Sequence, residues 1–285
     1  MTVVIVHGTH DPDGAWWVET TPNDFAAEVD RGLVEAGSQP QVWRVGAFHV
    51  SAFDELRPEP SWSWFSGRTA PPFDNREGRF KWSGADLHGP GRHVGGKQLA
   101  RYLEAVTELD PDETIHIIAH SHGCNVVKQA TRELAKPVKL GRLVFLACPH
   151  FTDIHGGEPT YRIEPSVLGP YRTPILNFYS PQDVVQTTVA RLMPDLGMAP
   201  GMPEIGFLGF EGTPLVESHR SDPDPAAAGL YEELEVEFTG GDGVAAHGAV
   251  HKPEVGRFLG YWFAQEADVP AHDLWSKLGL EKLAA

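Results

Sequence analysis

Short apolar runs alternate with segments of helical spacing along most of this chain, and this order constrains the fold more than any other feature. β-Branched runs such as TVVIVHG (2–8) and IHIIAH (115–120) have the length and composition of buried strands. Each such run is followed along the chain by a segment of helical spacing or by a long irregular stretch. Strands that alternate with helices form a mostly parallel sheet covered on both faces, so the sequence predicts an α/β fold of about six strands.

The predicted helices and strands fill most of the chain. Thr21 and Pro22 suit the start of the first helix, and Gly37 suits its end. The predicted helices are 21–37, 97–109, 123–135 and 252–265, and the predicted strands are 2–8, 40–48, 113–121, 140–149, 173–180 and 231–240.

The chain is predicted to form a single domain over residues 1–285, with two long excursions at about 49–95 and 186–230. Long loops in compact domains commonly form lids or binding surfaces, so both excursions are candidates for cap or lid elements. The second excursion holds three of the four Met residues. Flexible Met suits an adaptable apolar pocket for an acyl chain. The alternative is that these apolar residues only pack the excursion against the rest of the domain.

In an open α/β sheet the ligand binds beyond the carboxyl ends of the strands, so the residues that follow each strand are candidate functional residues. The stretch IIAHSHGCNVV (117–127) places Ser121 between a predicted strand and a predicted helix, with Ala119 and Gly123 two residues to either side. Small residues at these positions are typical of a tight nucleophile elbow that exposes a serine above the sheet. A serine at a helix N-cap is the simpler alternative.

The chain resembles the α/β-hydrolase superfamily, in particular bacterial serine esterases and lipases with an AHSHG elbow. The matching pieces are VVIVHGT (3–9), IIAHSHGCNVV (117–127), ILNFYSPQDVV (175–185) and AAHGAVHKPEV (245–255), with FKWSGADLHGPGR (80–92) before the nucleophile strand. Cys124 stands where those relatives usually carry a second Gly. The resemblance implies a serine hydrolase that cleaves carboxylic esters and needs no cofactor.

A serine nucleophile needs a base and an acid, which follow it in the order Ser, Asp, His in this superfamily. Asp183 comes just after a predicted strand and is the predicted acid, with Asp153, Glu158 and Asp242 as weaker alternatives. His247 and His251 both follow the last strand. We predict that His247, expected on a loop, is the base, and that His251, beside the start of the final helix, has a capping or surface role.

The predicted oxyanion hole consists of the backbone N–H groups of His122 and Thr9, with His10 as second choice to Thr9. His10, Trp16 and His150 are predicted to contact the substrate because they too follow strand ends.

Two other functions compete with a serine hydrolase. The 14 histidines include the closely spaced pair His247 and His251, which would suit a metal hydrolase if both lay on one helix face. No H-E-x-x-H motif is present, so no metal ligand is predicted. A non-catalytic binding protein on a hydrolase fold is the other alternative.

The net charge of −16 disfavours binding to nucleic acid, because an acidic surface repels phosphate. No run approaches the ~18 apolar residues of a membrane span, and the N-terminus lacks the basic region of a signal peptide. The expected partner is a small-molecule or lipid ester, and the expected location is the cytoplasm, with export by a signal-less route left open. The sequence does not indicate the oligomeric state.

Overall fold

A computed structural model describes residues 2–6, 8, 25–38, 73–74, 79–80, 90–148, 150–151, 163, 167, 173–180, 182–183, 205–206, 231–236, 244–265 and 269–280. Within these ranges the strands are β1 (Thr2–Val6), β2 (Phe73–Asp74), β3 (Arg79–Phe80), β4 (Ile115–His120), β5 (Leu140–Leu146), β6 (His150–Phe151), β7 (Ile175–Tyr179), β8 (Ile205–Gly206) and β9 (Tyr231–Glu235). The helices are α1 (Phe25–Glu35), α2 (Pro90–Leu109), α3 (Gly123–Glu133), α4 (Val244–Ala249), α5 (Pro253–Phe263) and α6 (Ala271–Lys277).

The main sheet has the strand order β2-β3-β1-β4-β5-β7-β9. Its five strands of five residues or more, from β1 to β9, are neighbours in that order and all parallel. The predicted α/β class with a mostly parallel sheet is therefore confirmed. The predicted number of about six strands is corrected to five, because β2 and β3 are only two residues long and add little pairing at the edge.

The edge of the sheet beside β1 differs from the sequence prediction. Strand β1 pairs in parallel with β3, through Val6 and Phe80, and β3 belongs to the first predicted excursion. The second predicted strand, 40–48, lies outside the described residues. The second excursion contains β8, which pairs with β6 as a separate antiparallel ribbon.

Helix α2 begins at Pro90, seven residues before the predicted start at Lys97. Proline is favoured in the first turn of a helix. Gly95 and Gly96 are poor helix formers and interrupt the helical spacing, so the sequence predicts a later start. Packing explains one of these glycines: a Cβ on Gly96 would lie 2.4 Å from Cγ of Gln129 on α3. The close approach of α2 to α3 thus outweighs the weak helix propensity of glycine.

The core has two layers, one on each face of the sheet. One cluster packs α2 and α3 against the sheet, with Tyr102 and Phe145 among its largest side chains. The other packs α1, α5 and α6 against the opposite face, around Phe178, Phe258 and Trp262. This arrangement leaves the carboxyl ends of the parallel strands as the edge of the sheet from which the candidate site is built.

Helices α1 and α5 touch through their backbones. A Cβ on Gly32 would lie 2.2 Å from the carbonyl oxygen of Arg257, and a Cβ on Gly260 would lie 2.1 Å from that of Val29. At the end of α1, Gly37 has φ +82° and the Ser38 N–H donates to the Leu33 carbonyl, as in a Schellman cap. The predicted helix end at Gly37 is confirmed, whereas the predicted cap at Thr21 lies outside the described residues.

Among the described helices, none combines the length and the apolar composition that crossing a bilayer would need.

Candidate active site

Ser121 lies at the junction between β4 and α3 in a left-handed backbone conformation, with φ 51°. This region costs a non-glycine residue on the order of 1–2 kcal/mol, so surrounding contacts must hold it. One such contact is the Ser121 N–H, which donates to the carbonyl oxygen of Leu146 on β5 at 2.9 Å. The serine keeps part of its surface exposed, while Ala119 before it is fully buried. The junction therefore presents a hydroxyl above the sheet on a strained turn.

The chain leaving β1 passes directly beside this junction. A Cβ on Gly8 would lie 3.0 Å from Cβ of Ser121 and 3.0 Å from Nδ1 of His120. Real Cβ atoms rarely come this close to their neighbours, so a glycine at position 8 is what allows the two segments to meet. The backbone at Gly8 therefore lies within contact distance of Ser121.

Asp183 and His247 form a hydrogen-bonded pair. Nδ1 of His247 donates to Oδ2 of Asp183 at 2.7 Å, the carboxylate is 1% exposed, and the imidazole is 15% exposed. Asp183 also belongs to a turn after β7, since its N–H donates to the Ser180 carbonyl at 3.1 Å. With Nδ1 occupied by the carboxylate, Nε2 of His247 is the nitrogen left for chemistry elsewhere.

The structure corrects the surroundings predicted for His247. It lies in the short helix α4, not on a loop. The reason is that Val-Ala-Ala before it favours a helix once the chain has passed the glycines at 240–243, and alanine has the highest helix propensity. His251 follows α4 in a turn whose N–H donates to the Gly248 carbonyl at 3.0 Å.

His251 faces the interior, in contrast to the predicted capping or surface role. Its ring contacts His120 edge-on, with ring centroids 4.0 Å apart, and lies 6.1 Å from the ring of Phe25. Burial, and to a smaller degree the neighbouring charge of His247, lowers the pKa of His251 well below its usual value. The half-buried ring of His251 thus packs against His120 and Phe25.

His120 joins the elbow to the histidine segment. Its Nε2–H donates to the carbonyl oxygen of His247 at 3.2 Å, and the two rings lie 4.7 Å apart. The side chain is buried, as expected for the residue that precedes the serine. The sequence offered no signal for this contact, because the two residues are 127 positions apart.

His122 occupies the N-cap position of α3, directly after the serine. Its Nδ1 accepts a hydrogen bond from the Asn125 side-chain amide at 3.4 Å, so the imidazole lies along the helix. The positions of Thr9, His10 and Trp16 lie outside the described residues, as do the alternative acids Asp153, Glu158 and Asp242. The backbone of His150 forms β6, but its side chain is not among the described groups.

A buried polar network, for which the sequence gives no signal, involves helix α3 and the end of β5. Nζ of Lys128, only 2% exposed, lies 3.3 Å from Sγ of Cys148 and 3.4 Å from Oδ1 of Asn125. The thiol of Cys124 donates to the Ala119 carbonyl at 3.3 Å, and burial raises its pKa well above the usual value. Nine consecutive residues of α3, 123–131, are buried, which a helix amphipathic by sequence would not suggest.

No group of three or more His, Cys, Asp or Glu side chains within the described ranges is arranged to hold a metal ion. His247 lies in α4 and His251 in the turn after it, so the pair does not share one helix face.

The chain matches no protein-family model and no curated protein. Among solved structures it is similar to an extracellular alpha/beta-hydrolase from a Paenibacillus species, described as sharing structural and functional homology with tobacco salicylic acid binding protein 2. The identity is 12%, the TM-score is 0.33, and the match covers 93% of this chain and 100% of the other. A TM-score this low does not establish a shared fold.

Proposed function

We propose that this chain is a serine hydrolase of the α/β-hydrolase type, which cleaves carboxylic esters with Ser121 as nucleophile, His247 as base and Asp183 as acid. The observation that carries the proposal is the buried 2.7 Å pair of Asp183 and His247, joined through His120 to the strained turn that bears Ser121. An aspartate bonded to Nδ1 of a histidine whose Nε2 can reach a serine hydroxyl is the arrangement that activates this hydroxyl group.

In the first half of the reaction, Ser121 Oγ attacks the ester carbonyl carbon while Nε2 of His247 takes the hydroxyl proton. The resulting imidazolium then gives this proton to the leaving alcohol, and an acyl-enzyme remains. Asp183 holds the imidazole with Nδ1 protonated, so Nε2 is free to accept, and its negative charge stabilises the imidazolium. The carboxylate is 1% exposed and the imidazole 15%, so water screens their interaction less than it would at the surface, and both effects are stronger.

In the second half, a water molecule attacks the acyl carbon and loses a proton to His247. His247 then gives this proton to Ser121 Oγ as the bond between Oγ and the acyl carbon breaks, which releases the acid and restores Ser121. The tetrahedral intermediates need two donors for their negatively charged oxygen. We assign these to the backbone N–H groups of His122, at the start of α3, and of Thr9. Thr9 follows Gly8, which lies against Ser121, and this supports its assignment.

The expected substrates are small-molecule or lipid esters. His10, Trp16 and His150 remain candidates for contacts with the acyl or alcohol part, and the segments at about 49–95 and 186–230 remain candidates for a cap. No step of the proposed reaction requires a cofactor.

Replacement of Ser121 by alanine tests this function. The wild type should hydrolyse p-nitrophenyl esters and form a covalent adduct with a fluorophosphonate probe. Ser121→Ala should lose at least about a thousandfold in kcat/KM and all labelling, because the nucleophile is absent.

Circular dichroism of both proteins controls for folding, and a chelator added to the wild type separates a metal hydrolase. A wild type that is folded but neither labelled nor active on esters from acetate to palmitate would favour a non-catalytic binding protein. Activity lost on chelation would favour a metal site.

A further inference from the structure

His120, the residue before the proposed nucleophile, also contacts the segment that carries the proposed base. It is the last residue of β4 and is 6% exposed. Its Nε2 lies 3.2 Å from the carbonyl oxygen of His247, and a carbonyl oxygen can only accept a hydrogen bond. A neutral His120 therefore carries its proton on Nε2.

The carbonyl group that accepts this hydrogen bond is one that a helix leaves unused. Helix α4 ends at Ala249, so the carbonyl of His247 is among the last four, which have no donor within the helix. The N–H of His251, which could have reached it, donates to the Gly248 carbonyl at 3.0 Å. The imidazole of His120 thus caps the C-terminal end of α4, where the helix dipole also favours a donor.

Helix α4 depends on contacts of this kind because it is short. It has six residues, and a helix of that length is not stable in water unless tertiary contacts hold it. Two apolar residues at and just after its end, Ala249 and Val250, belong to the core cluster around Trp262. The cap from His120 adds a hydrogen bond to the backbone of the residue that carries the base.

The ring of His120 is enclosed by three other segments of the chain. Its Nδ1 edge faces the chain after β1, since a Cβ on Gly8 would lie 3.0 Å from this nitrogen. The ring of His251 packs against it edge-on, with the ring centroids 4.0 Å apart, and the ring of His247 lies 4.7 Å away. A ring enclosed in this way is a rigid support for the hydrogen bond that it donates.

We propose that His120 is a positioning residue, whose Nε2–H caps α4 and thereby holds the His247 imidazole against Asp183 beside the elbow. The residue before the nucleophile thus also places the base, although 127 positions separate the two histidines. The effect of this cap on the rate of ester hydrolysis rests on the proposed function. Its effect on the contact between His247 and Asp183 does not, and can be tested without a substrate.

Two matched variants separate the hydrogen bond of His120 from the bulk of its side chain. Glutamine places an N–H donor where Nε2 of histidine lies, whereas methionine has the same length and no donor. In the wild type, proton NMR should show the proton between His247 and Asp183 as a low-field signal, assigned by its loss in His247→Ala. This signal should persist in His120→Gln and should be lost or broadened in His120→Met.

His116→Met is the control for the loss of a buried imidazole. His116 lies on the same strand, is 5% exposed and stacks on Phe263 of α5, so its replacement leaves the cap of α4 in place. The low-field signal of this variant should match that of the wild type. An unchanged signal in a folded His120→Met protein overturns the proposal, and so does the absence of the signal from the wild type.

Nitrogen NMR of the wild type labelled with 15N-histidine decides the question even if His120→Met does not fold. The His120 signals are assigned by their loss in His120→Gln. Nε2 of His120 should be protonated, as the hydrogen bond to the His247 carbonyl requires. An unprotonated Nε2 overturns the proposal.

Steady-state kinetics on p-nitrophenyl butyrate measures the consequence for the rate. His120→Met should lose roughly tenfold to a hundredfold in kcat with KM within about threefold of the wild type, because a displaced base affects the chemical step. His120→Gln should recover most of this loss, and equal kcat values in the two variants overturn the role in the rate. A folded wild type that is neither active nor labelled by a fluorophosphonate refutes the proposed function instead, and the NMR signals then still decide whether His120 positions His247.

Discussion

At the residue scale, two histidines near one serine differ in their partners, and this difference predicts different roles. His247 is bonded to a buried carboxylate, whereas His251 packs against His120 and Phe25. His247→Ala should therefore reduce kcat/KM by about a thousandfold or more, as expected for loss of a base. His251→Leu should stay within about tenfold, because it removes packing and no proton acceptor. Steady-state kinetics on one ester would measure both.

The unfolding temperatures of the same two proteins serve as the control. His251→Leu should change the unfolding temperature although it has little effect on the rate, because its ring packs against His120 and Phe25. His247→Ala should show the reverse, a large effect on the rate and a smaller one on the unfolding temperature. The opposite ranking in kcat/KM would transfer the role of base to His251.

At the element scale, helices α1 and α5 depend on glycines for their close contact. In Gly260→Ala the new Cβ would lie 2.1 Å from the Val29 carbonyl oxygen and 2.9 Å from Cα of Gly32, and backbone atoms cannot turn away as a flexible side chain can. The helices must separate, so we expect a loss of about 1–3 kcal/mol in the free energy of unfolding. Denaturant unfolding of the wild type and the variant measures this loss.

Gly248→Ala is the matched control for this prediction. It makes the same substitution in helix α4, where a Cβ would meet nothing within 4 Å. Because alanine favours a helix over glycine by about 1 kcal/mol, this variant should be as stable as the wild type or more stable. Equal midpoints for the two variants would show that the α1–α5 contact tolerates a methyl group.

At the scale of the whole molecule, buried histidines make the folded state sensitive to acid. Burial, then the charge of Arg142 and then that of the N-terminus lower the pKa of His116 to about 3. His116 is 5% exposed, and its ring stacks on that of Phe263 with the ring centroids 4.7 Å apart. The unfolded chain takes up this proton near pH 6.5, so the unfolded state binds more protons between pH 6.5 and about 3. The contribution of neutral His116 to stability is therefore fully present above pH 6.5 and is lost as the pH falls from 6.5 toward 3.

His116→Leu should remove this share of the pH dependence. The unfolding free energies at pH 7 and pH 5 should differ by about 2 kcal/mol less in this variant than in the wild type. The figure follows because a neutral buried histidine loses ~1.4 kcal/mol for each pH unit below its unfolded pKa. Urea unfolding at a series of pH values measures it, and contributions of His251 and of the acidic surface are common to both proteins. Between pH 7 and pH 8 the two curves should run parallel. Curves that remain parallel down to pH 5 would show that His116 is not held neutral.

What the sequence determined by itself is local. The order of strands and helices predicted a parallel α/β sheet, because the short length and β-branched composition of the apolar runs distinguish buried strands from the longer segments of helical spacing. Gly37 predicted the end of α1, because helices often end in a residue with positive φ, which glycine adopts most readily. Its φ in the structure is +82°. The small residues around Ser121 marked a tight strand-to-helix turn by steric reasoning alone.

Tertiary structure decided everything that depends on residues far apart in the chain. Asp183 and His247 are 64 positions apart, and only the parallel sheet brings them within 2.7 Å. Local patterns predicted a different position for His251 and a later start for α2. They did not predict the burial of Lys128 at all. The reason is the same in each case: propensity and periodicity contribute tenths of a kcal/mol per residue, whereas burial between a sheet and its helices contributes about 1–3 kcal/mol per side chain and overrides them.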